Sequence, residues 1–581
     1  MDSSRHKRQR SGFPVTSLIG RLHGNREVSG NTIPEVATFL SAGSLPNILP
    51  SLDQVFNPLS CISSKVSGDC EDAFGEDEQI LAENCRFFVT LPRRLLFHAG
   101  LGSEHGPDVM LFMRPRCLTQ ILFMCEDVIR HNHIGHVYGQ PGTGKSTTAL
   151  YFASRLAVER QWNVLWAHLC PAKRSGYWKC LHMKPDGSYA TASIASSDIS
   201  YHINHFHTLA DHNQVAGHLV ILDGINSNCE SSPNWFGDLW ADSAPNHRLM
   251  RISSDGVDCG LTGPERDEGR IRIFHQWSWT LAEYRCAIQN GDFYKSMGCF
   301  LDASSEGITV DEKIQAKYYL AGGSARWMLG REAEFVRQSI DSAIRRTRYG
   351  PSESGNSVSR LFSRFGKKRT EIVSEYAKWT MAHELGSLEL KRLSQHPLIR
   401  YCGNSVDGHL FEAFFFHEAM RVASRAESLR FKCRSSIDVF WNLNGVIRRH
   451  ISDLKECPVD SLVWPFSQYQ PTYDALLMRN ESPGFAVLSF IRVTVASTHD
   501  VNMLRLKETM VQLGITRCEF YFVVPTNRLG SFRIDEIKNA DALKEFGWPT
   551  ECHDIKQRMI VLGLEGWDRL QTPILNIHGT S

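Results

Sequence analysis

The 581-residue chain has no net excess of charge, no closely spaced cysteine pair and no long apolar run. Lys and Arg number 64 against 63 Asp and Glu, so whole-chain charge gives no argument for nucleic acid or a membrane surface. The 16 cysteines include no Cys-x-x-Cys pair, which excludes the common zinc and thiol-redox motifs. Without a cleavable apolar leader or a membrane-length segment, we expect a reduced, intracellular site of action. A chain of this length exceeds one hydrophobic core, so we expect two or three domains.

A complete phosphate-binding loop is present near residue 140. The run Gly139-Gln-Pro-Gly-Thr-Gly-Lys-Ser-Thr147 follows a short apolar strand and precedes a helix that carries alanine and leucine. Gly142 and Gly144 let the backbone curl so that its N–H groups face phosphate oxygens, and the positive end of the helix completes the anion site. We expect Lys145 to contact the β- and γ-phosphates and the Ser146 hydroxyl to hold Mg²⁺. The sequence therefore predicts a nucleoside triphosphate site that uses ATP and Mg²⁺.

The acidic half of this site is predicted at Asp223. His218-Leu-Val-Ile-Leu-Asp223 has the composition of a buried parallel strand, and an acid at its carboxyl end is placed to hold Mg²⁺ through water. The next residue is Gly224, where many hydrolysing ATPases have the glutamate that orients the attacking water. Either Glu283 or Asp255 is then a candidate base, and the alternative is a slow switch.

Two further segments are predicted to belong to the same domain. Residues 248–254 have the pattern of a buried strand, and its last hydroxyls, on Ser253 and Ser254, are candidates for contacting the γ-phosphate or the attacking water. Residues 318–327 put Arg326 after a glycine pair that opens a helix of a small helical lid. This arginine is expected to reach the γ-phosphate from outside the sheet, the alternative being an exposed helix arginine. The predicted nucleotide-binding residues are Gly139, Gln140, Pro141, Gly142, Thr143, Gly144, Lys145, Ser146, Thr147 and Arg326, with Ser146 and Asp223 at the metal.

Two clusters of basic or titratable residues each allow two interpretations. The first cluster offers nitrogen ligands for a metal, or else packs among aromatic residues near a ligand cleft; it consists of His202, His205, His207 and His212. The second cluster predicts a nuclear import signal or a solvated tail; it consists of Arg5, Lys7, Arg8 and Arg10.

Composition and periodicity predict five segments. Residues 1–75 form a basic, largely disordered region, and residues 76–115 form a small segment with a strand at 85–91. The P-loop domain with its lid covers 116–335, including a helix at 117–129 and a strand at 162–166. A linker follows at 336–365, since 350–357 have the composition of a hinge. The second domain covers 366–581.

The carboxyl-terminal domain is predicted to have a mixed pattern. Helices are expected at 370–385 and 410–420, and apolar, β-rich runs at 473–478, 485–495 and 519–524. A turn at 480–484 separates the first two strands as in a hairpin, and a helix at 501–513 precedes the third. Helix, hairpin, helix and strand is the order in the core of restriction-endonuclease-like folds.

The motifs in series resemble the Crinkler effectors and the related retrotransposon hot spot proteins. The resemblance covers roughly residues 115–565 and rests on five motifs: the phosphate loop, Leu222-Asp-Gly224, Trp279-Thr-Leu-Ala-Glu-Tyr284, Gly322-Gly-Ser-Ala-Arg326 and Phe522-Val-Val-Pro525. In those families a P-loop ATPase of the AAA+ or STAND type is fused to a restriction-endonuclease-like domain. The resemblance therefore implies an α/β chain with a parallel P-loop NTPase sheet, a helical lid and a second α/β domain of the nuclease type.

The resemblance also implies residues for the second site. Glu412 matches the first-helix acid, Asp474 the hairpin acid, and Arg492-Val-Thr494 takes the place of the acidic-or-amide-x-Lys motif. The guanidinium of Arg492 is always charged and donates only, so it cannot bind Mg²⁺. Thr494 lacks the charge of the lysine. His499 is a candidate base, and a surface histidine at a strand end is its alternative.

The function implied is an ATP-binding and ATP-hydrolysing domain that regulates a nuclease-like domain acting on DNA with Mg²⁺. One alternative is a catalytically degraded second domain, which leaves an ATP-switched effector that binds DNA or protein without cutting. Another is a defence or signalling ATPase that oligomerises on nucleotide, with the second domain as sensor. The expected partners are ATP, DNA, host nuclear proteins and further copies of the chain, with no membrane. The expected location is a nucleus, that of a host cell if the protein is delivered.

Overall fold

The computed structural model describes most of the chain between residues 87 and 567, together with 40–44. The described ranges are 40–44, 87–170, 176–196, 198–206, 215–225, 244–254, 270–301, 308–347, 359–365, 370–395, 404–435, 437–449, 454, 456–465, 472–482 and 485–567. No helix within these ranges is long and apolar enough to cross a membrane. The basic cluster of the first dozen residues and the predicted hinge at 350–357 lie outside them.

The amino-terminal half is built on an eight-stranded mixed sheet, with a separate two-stranded sheet of β2 and β3. The strands are β1 (Leu40–Ser44), β2 (Phe88–Leu91), β3 (Val109–Phe112), β4 (Ile134–Gly139), β5 (Trp162–Cys170), β6 (Tyr177–Met183), β7 (Ser188–Ala195), β8 (Gly217–Ile225), β9 (His247–Ser254) and β10 (Ile271–His275). The helices are α1 (Arg93–His98), α2 (Pro115–Phe123), α3 (Lys145–Glu159) and α4 (Ile199–His205). The predicted helix at 117–129 is thus α2 continued by a π-helical stretch, Met124–Arg130.

Five strands of the large sheet are parallel, and β4, β5, β8 and β9 among them are largely buried. They lie side by side in the order β5, β8, β9, β4 and β10. From β4 the chain crosses to β5 on one side, and from β9 it crosses to β10 on the other side of β4. Such a reversal of direction leaves a crevice at the carboxyl ends of two neighbouring strands, where open α/β sheets bind ligands. Gly139 and Ser254 are registered with each other at this crevice.

Five helices follow the sheet and form the predicted lid region. They are α5 (Leu281–Ile288), α6 (Gly291–Met297), α7 (Val310–Ala321), α8 (Ala325–Gly330) and α9 (Ala333–Thr347). Helices α5 and α7 each start with a capping box, in which a threonine and the glutamate three residues later satisfy each other's backbone N–H groups. Helix α9 runs through the first part of the predicted linker and buries its apolar face.

The carboxyl-terminal half contains a second eight-stranded mixed sheet, in the order β14-β13-β22-β20-β18-β17-β16-β15. Its part of the chain contains the strands β11 (Phe362–Arg364), β12 (Thr370–Ile372), β13 (Ser428–Cys433), β14 (Asp438–Asn442), β15 (Gly445–Arg449), β16 (Ser461–Pro465), β17 (Ala475–Ser482), β18 (Phe485–Val493), β19 (Thr498–Asn502), β20 (Cys518–Pro525), β21 (Arg533–Lys538) and β22 (Ile560–Leu564). The helices are α10 (Glu375–Glu384), α11 (Ser387–Ser394), α12 (Asn404–Ser424), α13 (Met503–Leu513) and α14 (Cys552–Arg558).

The predicted helix, hairpin, helix and strand are present in that sequence order, but four strands that were not predicted, β13 to β16, lie between α12 and the hairpin. Strands β17 and β18 form an antiparallel hairpin, α13 follows, and β20 pairs in parallel with β18. The predicted helix at 370–385 is wrong at its start, because residues 370–372 form β12 against β11. The helix begins only after Ser374, whose hydroxyl accepts a hydrogen bond from Ala377 N and caps α10.

One continuous hydrophobic core joins the lid helices to the carboxyl-terminal half. It runs from Trp279 and Tyr284 through the lid to α10 and α12, and ends on the second sheet at residues such as Trp464. A separate core packs α3 beneath the parallel strands. The lid helices therefore share their hydrophobic core with the carboxyl-terminal half.

Candidate functional site

The phosphate loop has the backbone shape that its glycines predict. Gly142 and Gly144 have φ of +85° and +97°, conformations that side chains with a Cβ rarely adopt, and Gly144 is the N-cap of α3. The Lys145 ammonium turns back into the loop, donating to Gly139 O at 2.6 Å and to Gln140 O at 2.8 Å. The loop thus holds its cation over its own carbonyl groups, at the crevice of the sheet.

Threonine hydroxyls brace the loop. Thr143 Oγ1 donates to Gln140 O at 2.9 Å, and Thr147 Oγ1 donates to Gly144 O at 3.0 Å. These two bonds brace the curvature of the loop from within.

The two predicted metal-site residues meet. Ser146 Oγ donates to Asp223 Oδ1 at 2.8 Å across the crevice, and Asp223 is buried at the carboxyl end of β8. A hydroxyl and a carboxylate at hydrogen-bond distance are oxygen ligands of the kind that Mg²⁺ prefers. Ser146 and Asp223 therefore fit a magnesium ion.

His168 belongs to this site and was not predicted. Its Nδ1 lies 2.6 Å from Asp223 Oδ2, because β5 and β8 are parallel neighbours that register His168 with Asp223. The predicted strand ends at Trp166, four residues before the end of β5. Extending it to Cys170 would have paired its end with the acidic end of β8.

A buried arginine anchors the phosphate loop to the lid. Arg114, about 1% exposed, donates to Thr143 O at 3.3 Å and to Ser278 O at 3.1 Å, and forms an ion pair of 3.0 Å with Glu283. Glu283 also accepts a hydrogen bond from Thr280 N at 2.9 Å as part of the cap of α5. Its carboxylate is committed to these two structural contacts. These contacts give Glu283 a structural role, and its role as a base stays a prediction.

The two candidate sensor serines have different surroundings. Ser253 is buried, and its hydroxyl lies 2.8 Å from His136 Nε2, a ring whose pKa burial lowers to about 3. Ser254 is less buried and lies beside Gly139, at the end of the adjoining strand. Ser254 is therefore the serine better placed to meet a phosphate. Asp255, the other candidate base, lies outside the described residues.

The glycine turn before α8 rests on the phosphate loop. Ala325 N donates to Gly142 O at 3.0 Å, and Ser324 Oγ donates to Pro141 O at 3.2 Å. A methyl group on Gly142 would lie 2.9 Å from Arg326 Cβ, so Arg326 starts beside the loop. The structure thus brings the predicted lid arginine to the predicted phosphate site.

Electrostatics link Arg326 to the metal site. Arg326 is exposed, yet the protein atoms around it reduce its hydration and lower its pKa, as do Arg360 and Arg331, while Asp223 opposes the shift. An arginine with like-charged neighbours gains most from an added anion nearby. Arg326 is accordingly suited to a phosphate.

The predicted histidine cluster is described only in part. His202 is buried in α4, whereas the side chain of His205 and all of His207 and His212 lie outside the described residues. Within the described ranges, no group of three or more His, Cys, Asp or Glu side chains is arranged to hold a metal ion.

The carboxyl-terminal half has a buried charge cluster. Lys378 Nζ lies 3.2 Å from both carboxylate oxygens of Glu412 and 3.2 Å from Glu375 Oε1. Burial opposes both charges, but mutual attraction outweighs it: Glu375 and Glu412 raise the pKa of Lys378, while Lys378 and His409 lower the pKa of Glu412 to about 2. The predicted first-helix acid, Glu412, is therefore an ionised carboxylate whose charge is balanced by Lys378, a lysine that was not predicted to belong to the site.

The hairpin acid is also paired. Asp474 Oδ1 accepts from Arg492 Nη1 at 2.8 Å, and its Oδ2 accepts from Val493 N at 2.7 Å. Burial raises the pKa of Asp474 to about 6, although Arg492 opposes the rise. Arg492 Nε donates to His499 Nε2 at 2.9 Å, so His499 is an acceptor for the guanidinium.

Thr494, at the motif's lysine position, is buried and caps the end of its strand. Its Oγ1 accepts from Ala496 N at 3.1 Å, and its own N–H donates to Val523 O at 2.9 Å. Both contacts are to backbone groups, so the structure gives this side chain a local structural role.

Comparisons with known proteins add no relative. No protein-family model matches the chain, and no curated protein matches it significantly.

Proposed function

We propose that this protein is an ATP-dependent switch in which a P-loop domain of the AAA+ or STAND type controls a nuclease-like second domain. The observation that carries the proposal is the meeting of Lys145, Ser146 and Asp223 at the crevice between β4 and β9. Two segments far apart in the sequence, the phosphate loop and the end of β8, converge there on the chemistry that a nucleoside triphosphate with Mg²⁺ requires.

The loop of residues 139–147 would hold the phosphates through its N–H groups. Lys145 would exchange its two carbonyl partners for phosphate oxygens, and Ser146 and Asp223 would hold Mg²⁺, which neutralises phosphate charge when bound. Arg326 would contact the γ-phosphate and change position when it is lost.

Slow hydrolysis follows from the groups around Asp223. Gly224 supplies no side chain where hydrolysing relatives of this class have a glutamate, and Glu283 is tied to Arg114. His168 is the remaining basic group in contact with Asp223. We therefore propose a switch that turns over slowly rather than a motor.

The order of α12, the β17–β18 hairpin, α13 and β20 supports a nuclease-like second domain that contacts DNA, as the Crinkler resemblance implies. The cation pairing of both acids favours the alternative in which this domain binds DNA or protein without cutting it. Glu412 faces Lys378 and Asp474 faces Arg492, so neither acid is left with the charge that attracts Mg²⁺. We propose nuclear action, with host nuclear proteins as further partners and nucleotide-dependent self-association.

One experiment tests both halves. The purified chain is incubated with supercoiled plasmid, Mg²⁺ and ATP, beside Lys145→Ala and Asp474→Ala. ATP binding lost in Lys145→Ala, with plasmid retarded but not nicked by the wild type, is the result we expect. Nicking that needs Mg²⁺ and disappears in Asp474→Ala would instead establish the nuclease. A chain that binds no nucleotide refutes the proposal, and sizing with and without ATP tests self-association.

A further inference from the structure

A short turn connects the phosphate loop to the second domain. On one side, Ser324 and Ala325 hydrogen-bond to carbonyl groups of the phosphate loop. On the other, Gly322 packs so closely against β12 that a methyl group on it would lie 1.6 Å from Val373 O and 3.3 Å from Ser374 Cβ. Only a residue without a side chain fits against this surface. The lid turn is therefore in direct contact with the start of α10.

Helix α10 carries Lys378 one turn beyond that contact. Ser374 is its N-cap, and Lys378 N donates to Ser374 O at 3.0 Å, which is the first helical hydrogen bond. The ammonium of Lys378 then reaches Glu412 on α12. The path from the phosphate loop to the predicted acid consequently consists of direct contacts and a single helical turn.

The position of Lys378 matters for any metal at the acids. Its Nζ lies 3.2 Å from both oxygens of Glu412, so it covers the face of the carboxylate that a divalent ion would use. The same ammonium also acts electrostatically on Asp474. Two cations cannot share this buried space without strong repulsion.

We propose that Lys378 is the internal cation that closes the Glu412–Asp474 pair to divalent metal, and that the nucleotide site controls it through the Gly322 turn and helix α10. The coupling part rests on the proposed function, whereas the closing of the acid pair does not. In the nucleotide-free chain, the Lys378 ammonium prevents a divalent ion from binding to Glu412 and Asp474. Movement of the turn on nucleotide binding shifts α10 and with it the ammonium.

The first test measures Mn²⁺ binding to the full chain without nucleotide by titration calorimetry. Lys378→Met removes the charge and keeps an unbranched side chain, and Lys378→Arg is the matched control that keeps the charge. We expect Lys378→Met to bind Mn²⁺ at least about tenfold more tightly than the wild type, since a nearby positive charge is removed. Lys378→Arg should bind as weakly as the wild type, and adding Glu412→Gln to Lys378→Met should cancel the gain. A gain that survives Glu412→Gln, or no gain in a folded Lys378→Met chain, overturns the proposal.

The second test needs no change at Lys378. Hydrogen–deuterium exchange of residues 375–384 is measured in the full chain with and without ATP, beside Lys145→Ala, while ATP binding is measured separately. We expect exchange in this segment to change at least about twofold in the wild type and not in Lys145→Ala. ATP binding without any change in α10 overturns the coupling and leaves the proposed nucleotide site standing. Absence of ATP binding overturns the proposed function itself.

Discussion

Replacing Gly322 by alanine should separate the lid from the second domain. The residue has φ of +57° and ψ of −141°, a region that essentially only glycine occupies, and its added methyl group would lie 1.6 Å from Val373 O. The unfavourable backbone conformation costs about 1–3 kcal/mol. Forced repacking of a tight contact costs about 1–3 kcal/mol more. We therefore expect Gly322→Ala to lose roughly 2–6 kcal/mol of stability.

Thermal unfolding of the full chain measures this loss. For a large folding unit each kcal/mol lowers Tm by about 2 °C, so Gly322→Ala should melt at least about 4 °C below the wild type. Gly330→Ala is the matched control, because a methyl group there meets no atom within 4 Å and the residue ends helix α8. Alanine's higher helix propensity should leave the Tm of Gly330→Ala unchanged or slightly raised. Equal melting of Gly322→Ala and the wild type would refute the tight contact on which the lid connection depends.

Four further outcomes are expected from the two sites. Lys145→Ala should lose ATP affinity by at least about tenfold in a direct binding assay, because the phosphates lose their main cation. Asp223→Ala should abolish ATP hydrolysis, measured as phosphate release, while nucleotide binding persists in part. Glu412→Gln should lower stability at pH 7 by about 1–3 kcal/mol, since the buried ammonium of Lys378 loses one of its two carboxylate partners and keeps Glu375. Because the pKa of Glu412 is lowered to about 2, its contribution is present above pH 4.5 and is lost as pH falls toward 2, so urea unfolding of the two proteins should converge there. Arg492→Gln should lower DNA affinity and flatten its salt dependence by about one counterion.

The geometry of the candidate nucleotide site was predictable because its signals are local. The phosphate loop has its glycines, lysine and serine within nine residues, and the apolar run before Asp223 ends at the acid. A parallel sheet then brings the two segments together without further information from the sequence. The sequence did not reveal which side chains contact these residues. His168 lies in a strand whose end was predicted too early. Arg114, which forms an ion pair with Glu283, lies far before Glu283 in the chain.

The second domain was harder to predict for a different reason. The hairpin, the helix after it and the strand β20 follow from alternation and turn residues, whereas the strands β13 to β16 before the hairpin were not predicted. The predicted helix does not start at residue 370, because Thr370 and Ile372, both β-branched, pair with the short strand that begins at Phe362. Whether a segment forms a strand depends on its partner strand. Periodicity alone does not report a partner.

Whether a buried acid can bind a metal depends on whether a cationic side chain already pairs with it. A motif comparison assigns Glu412 and Asp474 as acids, but their chemistry is decided by Lys378, 34 residues before Glu412 in the chain, and by Arg492 on the neighbouring strand. Each cation lies within 3.2 Å of its carboxylate, and each pair is largely buried. Removing either cation therefore leaves a buried carboxylate with less compensating charge. The same residues that keep this domain closed to metal in the absence of nucleotide therefore define where a switch has to act. Of the two cations, Lys378 and Arg492, Lys378 belongs to helix α10, which starts in contact with the lid turn at Gly322.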